Sequence, residues 1–228
     1  MFAAIATATS LAGADAALVE SISAARADEA RHRELCAAIA QVLKASPSLD
    51  RRPLAARLAA LPEQPLSRAL ALLAVEVAVG ETVSCALFRA GLDGAREPLT
   101  RFALEAILRD EARHAALGWS ALAALLPRST VGGRAALHEE LRQSLGLIEQ
   151  TQARPALERL ERGEPFDPAL VSLGVLAPEA RVEAFYDGLA RRALPALAAP
   201  GLDGSGAWRR RYTAEGQEGP EQVGQGVV

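Results

Sequence analysis

The pentapeptide Asp-Glu-Ala-Arg-His occurs twice in this chain, at residues 28–32 and again at 110–114, and the two copies use two of its three histidines. On a helix, a Glu three residues ahead of a His sets carboxylate and imidazole on one face. They lie about 60° apart around the axis and roughly 4.5 Å apart along it, so both can reach one ion. One copy alone reads more readily as a solvated helix face. Repetition over five residues, including an Asp and a His that helix propensity does not favour, shifts the balance to a metal site. The competing accounts are two solvated faces or a buried ion-pair network.

Composition then selects the scaffold. The chain is 50% hydrophobic but only 4% aromatic, with apolar positions filled chiefly by Ala and Leu, which favours close-packed helices and predicts an all-α fold. A net charge of -3 offers no basic footprint for nucleic acid. Cys36 and Cys85 form no C-x-x-C pair, so neither a rubredoxin-type iron site nor a zinc ribbon can be built from them. They are expected as small core residues, and nothing in their spacing argues for an oxidising compartment. A cytoplasmic location follows as the expectation. The apolar opening, Met1 to Ala14, lacks the basic start of a signal peptide, since the first Lys or Arg is Arg26. The run from Ala69 to Ala90 is long enough for a membrane span, but Glu76 and Glu81 within it would be costly in lipid. Those carboxylates are better read as parts of a site, and no membrane partner is expected.

Gly and Pro divide the chain into helices. A first fragment is predicted over Phe2 to Leu11, stopped at Gly13, with Asp15 capping a second helix that runs to Lys44. Ser46-Pro47-Ser48 breaks it, and a short helical turn from Leu54 to Leu61 leads to Pro62 and Pro65. Helix three spans Leu66 to Ala90, with Gly91-Leu92-Asp93-Gly94 turning the chain. Helix four spans Glu97 to Leu126 and carries the second pentapeptide. Two further amphipathic helices, Val131 to Gln152 and Pro178 to Leu197, flank a Gly/Pro-containing connection. From Ala199 onward the composition predicts a mobile tail. The expected organisation is therefore a metal-binding bundle over residues 1–126, a helical extension packed on it over 127–198, and a tail over 199–228.

Glu81 precedes Glu111 by thirty residues, so helix three can present a carboxylate to the pair on helix four. Glu76 is a rival. On an α-helix the two lie about 140° apart, too far to serve one ion together, which favours Glu81 as ligand and Glu76 as a supporting hydrogen-bonding group.

These elements together resemble the ferritin-like di-iron carboxylate superfamily. The resemblance is carried by the paired D-E-x-R-H motifs, by Val-Gly-Glu-Thr at 79–82 and by Asp-Glu-Ala-Arg-His-Ala-Ala-Leu-Gly-Trp at 110–119. It covers residues 1 to about 126, and its nearest form is a group of bacterial ferritin-like proteins sharing these phrases. It implies an antiparallel four-helix bundle whose facing helices hold two metal ions. Glu29, His32, Glu81, Glu111 and His114 match ligand positions. Asp28 and Asp110 are implied as partners of the histidine of the opposite motif, with Arg31 and Arg113 compensating their charge; ordinary surface ion pairs are the alternative.

The family takes one more Glu from helix one, and the thirty-residue spacing puts that Glu just before Met1. Either the true start lies upstream and helix one is truncated here, or this ligand has been lost. Carboxylates with two histidines suit two iron ions, with manganese or a mixed Fe/Mn pair as alternatives. The expected chemistry is oxidation with O2 or peroxide, which needs an external electron donor. The alternatives are a ferroxidase-like iron handler or a non-catalytic module with an incomplete site. Only Tyr186 and Tyr212 are present and neither falls on the four helices, which argues against a stored radical. A homodimer is compatible with this reading. His138 is expected to be an exposed helix residue outside the site.

Overall fold

The computed structural model describes residues 1–44 and 52–212, and every regular element among them is helical. The chain runs through α1 (Phe2–Leu11), α2 (Ala16–Val42), α3 (Arg52–Ala60) and α4 (Pro65–Leu72). A π-helical segment, Leu73–Val79, then joins α4 to α5 (Gly80–Gly94) as one continuous rod. After it come α6 (Pro98–Leu125), α7 (Val131–Gln152), α8 (Arg154–Glu161) and α9 (Pro178–Tyr186). A second π segment, Asp187–Ala193, links α9 to α10 (Leu194–Ala198), and α11 (Gly204–Arg209) follows.

Local chemistry explains the boundaries. Gly13 takes a left-handed conformation (φ 69°) and the Asp15 carboxylate accepts the Ala17 amide at 2.8 Å, so α1 stops and α2 starts as their residues dictate. Glu97 caps α6 by accepting the amides of Leu99 and Thr100, and Thr130 caps α7 through Gly133. Gly91 and Gly94 do not turn the chain; α5 runs on to Gly94 and residues 95–97 make the connection. The predicted break at 46–48 lies outside the described residues.

Four elements close a ring: α1 packs on α2 and α4, α2 on α6, and α6 on the π segment and α5. The middle rod supplies the core. Ala69, Leu70, Leu72, Leu73, Ala74 and Val79 are each fully buried, and each such Leu contributes about 1.5–3 kcal/mol by leaving water. Its most apolar 18-residue window has a mean hydropathy of 1.8, yet 61% of that window is inside the protein. Packing against other helices accounts for that apolar surface.

Two glycines let neighbours approach this rod closely. A Cβ on Gly118 of α6 would lie 2.7 Å from the Ala78 amide nitrogen, and one on Gly188 would lie 2.8 Å from the Ala86 Cβ. Backbones at such distances leave no room for a side chain.

The segment after Ala199 departs from expectation. Leu202, Gly204, Gly206 and Ala207 are buried, and α11 packs on α7 and α10. Composition misled because the small residues that resemble a linker are here the ones that fit between helices. The part of the expected tail beyond residue 212 lies outside the described residues. A further correction concerns the thiols: Cys36 is exposed and Cys85 half-buried, both free, and neither is a core residue. Beyond His32, α2 has no buried residue, which leaves Cys36 at the surface.

Candidate metal centre

The two pentapeptides sit on α2 and α6, which pack together and turn their histidines inward. His32 is 7% and His114 2% exposed, and their ring centroids are 6.1 Å apart. Each imidazole is fixed by the other motif. His32 Nε2 lies 3.2 Å from Asp110 Oδ2, and His114 Nε2 lies 3.0 Å from Asp28 Oδ2. An aspartate accepts a proton and cannot donate one when ionised, so each Nε2 carries the hydrogen. That leaves each Nδ1 facing the interior.

There the Nδ1 atoms meet carboxylates. His114 Nδ1 is 2.8 Å from Glu111 and 3.6 Å from Glu29. His32 Nδ1 is 3.2 Å from Glu111 and 3.6 Å from Glu29. Glu81, in the first turn of α5, completes the group: donor atoms of Glu29, Glu81, Glu111 and His114 all lie within 4.8 Å of one another. His32 Nδ1 is buried and forms no hydrogen bond. A buried nitrogen without a partner is costly unless something else binds it.

Electrostatics point the same way. Burial and the neighbouring Glu111 push the Glu81 carboxyl up to about 10, and the same two causes raise Glu29. Three carboxylates cannot all ionise at such spacing without a compensating cation. The outer aspartates behave oppositely. Burial alone would raise both, but for Asp28 the hydrogen bonds to His114 and Arg31 prevail, and for Asp110 those to His32 and Arg31 together with the Arg113 charge prevail, so both fall below the ordinary range. Burial disfavours the His114 imidazolium, yet its bonds to Glu111 and Asp28 carry its pKa above the usual value.

Arg31 and Arg113 each bridge the two aspartates: Arg31 pairs with Asp28 and, at 3.2 Å, with Asp110, while Arg113 lies 2.7 Å from Asp110 and 3.4 Å from Asp28. The two aspartates are thus bound to the histidine pair as well as to the arginines. Phe2 of α1 closes the arrangement from the side, its ring centroid 4.9 Å from that of His114. Cys85, one turn beyond Glu81 on α5, feels the same carboxylates; burial, then Glu111 and Glu81, push its thiol up to about 11.

Glu76 stands apart from the donor group. Its carboxylate accepts from Arg57 Nε at 3.1 Å, and Arg57 also reaches Glu140 of α7 at 2.6 Å. The 140° separation between Glu76 and Glu81 assumed an α-helix throughout. The π segment carries i→i+5 bonds and winds more slowly, so both side chains line the same two cavities, of about 680 and 380 Å³. His138 is half-buried on α7 and has no part in the cluster.

A second charged cluster escaped sequence reasoning. Glu149 of α7, 4% exposed, takes bonds from Arg211 Nη2 at 3.2 Å, Tyr186 at 2.5 Å and Tyr212 at 2.6 Å. Arg211 also stacks over Trp208, 3.6 Å from the ring centroid. The available signal was register: Leu137, Leu141 and Leu145 are buried four residues apart, and Glu149 continues their stripe. No protein family, curated protein or solved structure matches this chain.

Proposed function

We propose that the chain is a ferritin-like dinuclear metal protein, an oxidoreductase that uses O2 or peroxide with electrons from an external donor. In this reading α1, α2, the α4–α5 rod and α6 are the four helices, and α1, with 10 residues against 27 in α2, is the short member. One observation carries the proposal: two copies of one pentapeptide lock each other's Nε2 atoms with Asp28 and Asp110, leaving His114 Nδ1 grouped with the carboxylates of Glu29, Glu81 and Glu111 and His32 Nδ1 beside Glu29 and Glu111. The His32 Nδ1 that forms no hydrogen bond and the crowded carboxylates each fit a bound cation better than its absence.

Glu29, His32, Glu81, Glu111 and His114 would hold the ions. Oxygen and nitrogen donors of this kind suit iron, with manganese or a mixed pair as alternatives. Bound there, such ions supply the redox and Lewis-acid chemistry that the side chains lack. The protein's own contributions are orientation through Asp28 and Asp110, charge compensation through Arg31 and Arg113, and a side wall at Phe2.

Metal analysis of protein purified after growth with iron and manganese tests the reading directly, followed by rapid-mixing absorbance with Fe(II) and O2. About two ions per chain and an O2-dependent optical change support it. Protein that takes up neither metal, or in which His32→Ala and His114→Ala leave metal content unchanged, would overturn it.

A further inference from the structure

Glu29 and Glu81 do not end in sealed protein; both form part of the wall of the 680 Å³ cavity between α1, α2 and the π segment. Its mouth carries Arg26 and Arg33, which stand one turn before and one turn after Glu29 and fall with it within about 60° of arc on α2. Both are exposed. Neither has a hydrogen-bond or ion-pair partner among the described residues, whereas Arg31, Arg57 and Arg113 around the same centre are all paired. The rest of the wall is apolar apart from Ser23 and Glu76, with Phe2, Ile5, Ala27, Ala30 and Val77 among its residues, so that Ser23 is its one neutral polar side chain. Glu76, at the same wall, is held by Arg57.

We infer that this cavity is the substrate site of the centre and takes a small molecule with an apolar body and an oxyanion head, a carboxylate or a phosphate ester, gripped by Arg26 and Arg33. The inference rests on the dinuclear-metal reading, because two divalent ions outweigh the three carboxylates that hold them and make the cavity floor favourable to an anion. A guanidinium presents a planar fork matched to carboxylate and phosphate oxygens. The apolar part of the lining sets the body of the molecule beside Glu29 and Glu81.

The test is titration calorimetry of the metal-loaded protein with hexanoate, hexyl phosphate and 1-hexanol, repeated on Arg26→Ala/Arg33→Ala and on Arg89→Ala as a control on another face. The expected result is binding of at least one of the two anions with hexanol weaker by about tenfold or more, and a loss of similar size in the double variant only. The tighter of hexanoate and hexyl phosphate identifies the head group. Hexanol binding as tightly as the anions, no binding of either anion, or equal affinity in the double variant would overturn the inference. Metal content of the same samples separates the two levels: a wild type that keeps its ions but binds neither anion sinks this site alone, and a wild type without ions sinks the reading beneath it.

Discussion

His32 and Asp110, 78 residues apart in the chain, meet at 3.2 Å inside the protein, and His114 and Asp28 repeat the relationship at 3.0 Å. Each motif therefore completes the other. A site of this kind cannot form from one helix, and its two halves should respond together to damage in either.

Asp28→Asn and Asp110→Asn test that coupling. An amide of the same shape no longer insists on an Nε2 hydrogen, so the imidazole can turn its tautomer and withdraw the Nδ1 lone pair. Each replacement should weaken metal binding by about 10–100-fold, measured by competition with a chromogenic chelator. Affinities unchanged in both variants would mean that the aspartates serve only the arginines around them.

Replacement of the histidines should separate ligand from bystander. His114→Ala removes a buried Nδ1 from the donor group and His32→Ala one that lies beside its Glu29 and Glu111; each is expected to lose most of one ion per chain, while His138→Ala, on α7 away from the cluster, should keep full content. The check is elemental analysis at matched protein concentration. Equal loss from all three would show that the ions bind elsewhere.

The rod should tolerate no added volume where other helices touch it. Gly118→Ala would drive a methyl to 2.7 Å from the Ala78 nitrogen and 2.8 Å from Val77 Cγ1, and overpacking of this kind costs about 1–3 kcal/mol. Gly132→Ala, on α7 with nothing within 4 Å, should be neutral or slightly stabilising, since Ala is the better helix former. Thermal melts of the two variants should move apart accordingly.

Much of this was readable in the residues. The pentapeptides marked Glu29, Glu111 and His114, which the fold brings together with Glu81, Gly13 and Asp15 the first helix boundary, and the Ala/Leu composition the helical class. What stayed hidden involves geometry that no local pattern encodes. The π segment is invisible in Leu73–Val79 because any apolar helical sequence fits it, yet it is what turns Glu76 and Glu81 toward the same cavities. Arg57 gives no hint in sequence that it will reach both Glu76 and Glu140. The residues around Gly204 and Gly206 look like a linker until Leu197 and Asp203 pack against them. Small residues signal flexibility and close packing with the same letters, and only tertiary contacts tell them apart.

Glu149 offers a pH test at a distance from the centre. Burial works to raise its carboxyl, but Arg211, Tyr186 and Tyr212 outweigh it and hold its pKa below the ordinary value. A group depressed in the folded state adds stability that is fully present above its unfolded pKa, near 4.3 for Glu, and that is lost as pH falls through the folded value. At neutral pH, Glu149→Gln should therefore lower the melting temperature, because Arg211 and two phenols lose their common charged partner; about 1–3 kcal/mol is the expected range. As pH falls below about 4, wild type should converge on the variant. Trp208 stacks on Arg211, so its fluorescence should report the release of α11 before the rest of the protein melts, and Trp208→Phe should remove that early change while Trp119 still reports global unfolding. A stability difference between wild type and Glu149→Gln that stays constant from neutral to acid pH would show that the carboxylate charge contributes nothing to holding α11.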